Sequence, residues 1–200
     1  MEEFKERAKE LGLKIYQPTV EYDIIFARWW ETLHETGEYD RLFTRRIHPL
    51  SQFMHTFQPP TLTIFADDED GIWVCAWFNL FSDTDSGAFM HFWGREEKRN
   101  TRKGISVTSL IYDFATTFFP VVIGVTKHED LLYAHRKVGY NIVGQIPHML
   151  DGSDVWILYL TRENFEQGKL FKLGEKINGF RNNRKPNGPR NAANYSGVLV

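Results

Sequence analysis

The 200-residue sequence contains a single cysteine, Cys75. One cysteine excludes an intrachain disulfide and a cysteine-based zinc site, and it indicates a reducing compartment. Long apolar runs are also missing, because the longest one, IWVCAWF, is far too short to span a bilayer. The N-terminus, MEEFKERAKELG, is charged and lacks the apolar stretch of a signal peptide. We therefore expect a soluble, cytoplasmic protein.

An excess of one charge is missing too. The formal net charge of -2 at pH 7 gives no global electrostatic reason to bind nucleic acid or anionic lipid. The sequence has no recognisable nucleic-acid-reading motif, and G-x-S-x-G, G-x-x-x-x-G-K-[ST] and G-x-G-x-x-G are all absent. His48 and His55, like His128 and His135, are seven residues apart, but two neutral ligands without nearby acids or cysteines make a poor metal site. We expect neither a metal nor a nucleic-acid partner.

What the sequence does contain is typical of one globular domain with an aromatic core. Hydrophobic residues make up 42%, charged residues 25% and aromatic residues 15% of the chain. Periodicity and turn residues predict a helix at residues 2–10, followed by the order β-α-(α)-β-β-β-α-β-α-β-β. Thr19 is the expected N-cap of a helix that covers residues 20–35.

The segment EEKRNTRKGIS, residues 96–106, leads into a helix whose apolar residues recur at helical spacing. A helix N-terminus carries partial positive charge, yet this one begins beside four cations: Lys98, Arg99, Arg102 and Lys103. Exposed N–H groups at a helix start bind anions, and Gly104 allows close approach of the backbone. The segment is either an anion site or a solvated basic connector.

Two motifs resemble the GNAT superfamily of acyl-CoA-dependent N-acyltransferases, over residues 13–160. TRKGIS resembles the family's pyrophosphate-binding Q/R-x-x-G-x-G/A, with Thr101 and Ser106 at variant positions. VTKHEDLLYAHRKVGY resembles the N-x-x-A-x-x-L-Y-x-K-x-G-F segment, in which His128 replaces Asn and His135 replaces Tyr. The resemblance implies an α/β fold with a mixed central sheet of about six or seven strands flanked by helices.

The resemblance also implies acetyl-CoA as cofactor and a set of site residues. The predicted cofactor-binding residues are Arg99, Thr101, Arg102, Lys103, Gly104, Ile105, Ser106 and His128. His135 takes the position of the proton donor to the departing thiolate, with a packed core histidine as the alternative. Glu96 and Glu97 are the candidate general bases, ahead of Asp83, Asp85 and His91, with solvated loop charges or a sheet histidine as the alternatives.

The C-terminal part of the sequence changes character. We divide the chain into an acyltransferase-like domain at residues 1–165 and a C-terminal helix and extended tail at 166–200, which is rich in Asn, Gly and Arg.

The sequence is compatible with two functions. One is transfer of an acyl group from acetyl-CoA to an amine; the alternative is a non-catalytic structural or morphogenesis protein, resembling small GNAT-like proteins of tailed bacteriophages. In that alternative, residues 175–200 dock on a partner protein or on a second copy, in the host cytoplasm or the virion.

Overall fold

The computed structural model describes residues 2–43, 49–81, 87–150 and 152–178. Nine helices are formed in these ranges: α1 Glu2–Glu10, α2 Val20–Glu35, α3 Tyr39–Leu42, α4 Leu50–Phe57, α5 Glu96–Arg99, α6 Arg102–Phe118, α7 Leu132–Val138, α8 Arg162–Gln167 and α9 Lys169–Asn178. Seven strands are formed there: β1 Lys14–Ile15, β2 Leu62–Asp68, β3 Gly71–Leu80, β4 Gly87–Gly94, β5 Val121–Thr126, β6 Asn141–Leu150 and β7 Ser153–Leu160. No helix of the described part is long and apolar enough to cross a membrane.

The seven strands form one mixed sheet in the order β1-β2-β3-β4-β5-β7-β6. Neighbouring strands are antiparallel except for β4 and β5, which are parallel because α6 carries the chain back across the sheet. The predicted fold class, an α/β fold with a mixed central sheet of six or seven strands, is confirmed.

Apolar side chains form a separate core on each face of the sheet. Under α6 lies a core that includes Val107, Leu110 and Ile111, each 0–1% exposed, as the helical spacing of the sequence predicts. Under α2 and α4 lies an aromatic core that contains Phe26, Trp29, Phe53, Phe57, Phe65, Trp77 and Trp93. Alternate residues of the central strands therefore serve opposite faces.

Local signals located most elements correctly. Thr19 caps α2, since its side chain accepts a hydrogen bond from the N–H of Tyr22. The first strand is short, because only Lys14 and Ile15 pair with β2. The chain forms a 3₁₀ turn, Glu129–Leu131, immediately before α7.

The C-terminal helices pack on the domain. Phe165 of α8 is 0% exposed and Phe171 of α9 is 7% exposed, and both belong to the core under α6. Arg162 anchors α8 to α6 by an ion pair with the buried Asp113. The division of the chain at residue 165 stays a prediction. The tail from residue 179 onward lies outside the described residues.

Gly139 is required where the end of α7 meets α8. It ends α7 with a positive φ of 116°, and a Cβ there would overlap the backbone carbonyl of Asn164. We expect Gly139→Ala to lower the free energy of unfolding by about 3 kcal/mol, as backbone strain and overpacking add. Urea unfolding measures this change.

Gly12→Ala is the matched control. Gly12 also has a positive φ, 75°, but a Cβ there would meet no atom within 4 Å. Gly12→Ala should therefore lower the free energy of unfolding by about 1 kcal/mol, the cost of the left-handed backbone alone. Equal losses in the two variants would show that the contact with Asn164 contributes nothing.

Candidate functional site

The central feature of the site is a gap between β4 and β5. The two strands pair only through Gly87↔Val121, Ala88↔Val122 and Phe89↔Ile123. β4 then continues to Gly94 along β3, and β5 continues to Thr126 along β7. Each strand keeps its outer neighbour, so the carboxyl end of β4 presents an edge that β5 does not pair. Clefts at the carboxyl ends of strands are the usual ligand sites of α/β sheets.

Tyr140 lies at the point where the strands part. Its ring lies against Gly124 of β5, where an added Cβ would be 3.4 Å from Tyr140 Cε1. Its hydroxyl reaches across to Met90 of β4, 4.0 Å from Sδ. The side chain is 5% exposed, and burial raises the pKa of its hydroxyl well above the ordinary value. Tyr140 thus forms the floor of the gap.

The N-terminus of α6 opens beside the carboxyl end of β4. Thr101 is the N-cap: its Oγ1 accepts from the N–H of Gly104 at 3.0 Å and donates to the carbonyl of Lys98 at 2.8 Å. A Cβ on Gly104 would overlap that same carbonyl, so glycine allows α5 to lie directly against α6. Ile105 donates its N–H to Thr101 O, and Ser106 is 4% exposed inside the domain.

Three of the four loop cations contact protein groups. Lys98 pairs with Asp68 at 3.1 Å, Arg99 Nε donates to the carbonyl of Gly94 at 2.6 Å, and Lys103 lies 5.3 Å from the centre of the Trp73 ring. Arg102 is exposed and has no hydrogen bond or ion pair among the described residues. The loop cations are therefore held in place by the domain, and one remains available to an anion.

The acidic turn between β2 and β3 holds this loop. Arg95 binds Asp68 at 3.3 Å and also donates to the carbonyls of Asp70 and Ile72, both at 3.0 Å. Burial works against the charged carboxylate of Asp68, but Lys98 and Arg95 outweigh it and lower its pKa. The basic loop is thus tied to the β2–β3 hairpin before any ligand binds.

His135, the predicted proton donor, is half-buried on α7. Its Nδ1 lies 2.7 Å from the carbonyl of Leu131, an acceptor only, so the neutral ring carries its proton on Nδ1. Burial lowers the pKa of His135, against the effect of that hydrogen bond. At neutral pH, Nε2 therefore has a lone pair and no proton, and donation to a thiolate would require the imidazolium. The acid role stays a prediction.

His128 lies at the end of β5, on the opposite side of the gap from the carboxyl end of β4. Its backbone N–H donates to Thr126 Oγ1 at 3.1 Å, while its Nε2 is buried without a hydrogen-bond partner among the described residues. Burial, and then the charges of Lys127 and Arg41, lower the pKa of His128. A neutral imidazole with an unsatisfied ring nitrogen at the gap is consistent with a contact to a ligand.

The predicted general bases fall on exposed positions. Glu96 and Glu97 form the first turn of α5, and the carboxylate of Glu97 lies 3.6 Å from Arg95 Nε. Asp83 and Asp85 lie outside the described residues, as does His48. No group of three or more His, Cys, Asp or Glu residues in the described ranges is placed to hold a metal ion.

Glu38, which the sequence analysis missed, has a carboxylate beside β4. Its Oε2 accepts a hydrogen bond from Trp93 Nε1 at 2.8 Å. Trp93 is at the carboxyl end of β4, on the face of α2, and its ring is 5.2 Å from that of Trp29. The two partners are 55 residues apart in the chain, so no local sequence signal links them.

Comparison with known proteins was made at two levels. No protein-family model matches the chain, and no curated protein matches it in sequence. Solved structures do match. Spermidine N-acetyltransferase from Vibrio cholerae, in complex with CoA and spermine, has a TM-score of 0.58 at 8% identity, covering 77% of this chain and 98% of that one.

Two other matches are of the same kind. Mycobacterium smegmatis RimJ, in complex with CoA-disulfide, has a TM-score of 0.57 at 10% identity over 80% of this chain and 87% of that one. A putative phosphinothricin N-acetyltransferase has a TM-score of 0.56 at 15% identity over 74% of this chain and 98% of that one. At these identities the likeness establishes the GNAT fold.

His91 produces a pH-dependent stability. It stacks on Trp77 with ring centres 5.0 Å apart, and burial lowers its pKa from 6.5 to about 4. As the pH falls, the unfolded chain therefore takes up a proton before the folded one, so the folded state loses stability between about pH 6.5 and pH 4.

The corresponding variant is His91→Phe, which keeps a flat ring on Trp77. Between pH 7 and pH 5 the wild type should lose about 2 kcal/mol more stability than the variant, as measured by urea unfolding at both pH values. An NMR titration of His91 with a midpoint near 6.5 would contradict the expected burial.

Proposed function

We propose that the protein is an acyl-CoA-dependent N-acyltransferase, with acetyl-CoA as cofactor and an amine as acceptor. The observation that carries this proposal is the gap between β4 and β5, open at the end where α6 begins. Solved acetyltransferases of the same fold, some of them in complex with CoA, support it.

The residues around the gap fit the chemical groups of acyl-CoA. The edge of β4 beyond Phe89 offers backbone N–H and C=O groups to the amides of the pantetheine arm. The N-terminus of α6 and the unpaired Arg102 offer positive charge to a pyrophosphate. Thr101 and Gly104 keep α5 close to this helix start, which fixes the loop in position.

Acetyl-CoA would supply a thioester, whose C–S bond would break as the neutral acceptor nitrogen bonded to the carbonyl carbon, and the proton lost by that nitrogen would end on the sulfur of the free thiol. The contribution of this chain is to hold the two reactants together. The two reactants would meet in the gap, with His128 on one side of it and the carboxyl end of β4 on the other. We assign no proton donor, since the neutral ring of His135 directs its proton to Leu131.

A second candidate is a non-catalytic protein with the GNAT fold. The observation in its favour is that Lys98, Arg99 and Lys103 already contact protein groups, so most of the loop charge is balanced without a phosphate. In that case the basic tail, including Lys172 and Lys176 of α9, would dock on a partner protein. The bacteriophage origin and the role of residues 175–200 stay predictions.

Binding of acetyl-CoA separates the two candidates. We expect isothermal titration calorimetry to show one site, and saturating ligand to raise the midpoint of thermal unfolding. Arg102→Ala should weaken binding about tenfold, because a charged hydrogen bond to phosphate is removed without disturbing any protein contact.

Arg136→Ala is the matched control, since Arg136 is an exposed cation in the last turn of α7, away from the start of α6. It should bind acetyl-CoA like the wild type. Absence of heat and of any thermal shift at millimolar acetyl-CoA would reject the enzyme and favour the non-catalytic candidate.

A further inference from the structure

The short helix α3 lies over the opening between the carboxyl ends of β4 and β5. Glu38, the residue before α3, binds Trp93 at the end of β4. Arg41, within α3, pairs at 3.0 Å with Asp130, in the 3₁₀ turn that follows β5. Helix α3 and the residue before it thus contact both sides of the gap, on the face opposite α6.

Glu38 is the charged group that α3 brings to this opening. The residue is half-buried, and one carboxylate oxygen is occupied by the indole N–H of Trp93. No cation pairs with it anywhere in the described part of the chain. A partly desolvated carboxylate with a single neutral hydrogen bond is stabilised by an opposite charge.

The surroundings favour a cation over an anion. The sequence ETGEYD, residues 35–40, carries three acids and no base, whereas the cation of Arg41 is paired with Asp130. The buried Nε2 of His128 has no partner among the described residues, and in a neutral ring protonated on Nδ1 it accepts a hydrogen bond. An unsatisfied ring nitrogen thus accompanies a carboxylate without a cationic partner at one opening.

We infer that Glu38 receives the ammonium group of a primary alkylamine, with Trp93 holding the carboxylate in position. The inference rests on the proposed acyl transfer, in which this amine is the acceptor and attacks as the neutral base after its ammonium has lost one proton to solvent. It places the acceptor on the face of α2 and α3 and the acyl-CoA on the face of α6, so that the two reactants approach from opposite sides of β4. Under this assignment Glu38, the residue before α3, selects cationic acceptors.

Binding of hexylamine to the protein without acetyl-CoA tests this assignment, with hexanol as an uncharged probe of the same chain length. Tryptophan fluorescence and thermal shift report binding. Glu38→Gln keeps an oxygen for Trp93 Nε1 and removes only the charge. We expect the variant to bind hexylamine at least tenfold more weakly than the wild type, while hexanol does not distinguish the two.

Two further variants separate position from charge. Trp93→Phe keeps the aromatic contact with Trp29 but frees Glu38, and it should weaken hexylamine binding by an intermediate factor. Glu31→Gln removes an exposed carboxylate of α2 and should change nothing. Equal hexylamine affinity in the wild type and in Glu38→Gln overturns the inference.

The test also distinguishes this inference from the proposed function. Loss of acetyl-CoA binding with Glu38-dependent hexylamine binding would reject the acyltransferase and keep the ammonium site. If acetyl-CoA is turned over, Glu38→Gln should raise KM for hexylamine at least tenfold, with kcat and the affinity for acetyl-CoA changed less than threefold. A fall in kcat alone, at unchanged KM, would contradict a binding role.

Discussion

The separation of β4 from β5 after three residue pairs is the constraint on which the rest of this structure depends. Each strand remains paired with its outer neighbour, so the sheet opens without losing its continuity. Tyr140 occupies the point of divergence, between Gly124 and Met90, and glycine at position 124 leaves room for the ring. A gap with an aromatic floor and two rigid walls is thereby formed from side chains that are part of the core.

The electrostatics of the basic loop follow from the same arrangement. A helix start without acidic residues, beside four cations, should be unfavourable, and the sequence offers no local compensation. The charge is compensated by tertiary contacts, because Asp68 binds both Arg95 and Lys98, whereas the N–H of Gly104 is satisfied locally by Thr101. The loop is consequently preorganised, and an anion that binds there meets Arg102 and the helix dipole without first having to order the chain.

Local sequence signals were sufficient for most of the fold. Thr19 as a cap and the helical spacing from Val107 each predicted an element that the structure contains. Contacts between distant segments were not predictable in this way. Glu38 approaches Trp93 only because α2 packs on the aromatic core. Lys98 meets Asp68 only because β2 and β4 both pair with β3, which brings the ends of these two strands to the same edge of the sheet. Such contacts depend on the packing of whole elements, which no spacing rule encodes.

The alternation of side chains along β4 gives the gap two different sides. Met90 joins the core under α6, whereas His91 and Trp93 face α2 and α4. In the proposed function, Arg102 would meet the charge of the cofactor on the side of α6 and Glu38 would meet the charge of the acceptor on the side of α2. Because opposite charges are presented to the two reactants, neither is attracted to the other's position. In the proposed function, a single β-strand would thus position two reactants and keep their binding sites distinct, which a basic loop alone cannot do.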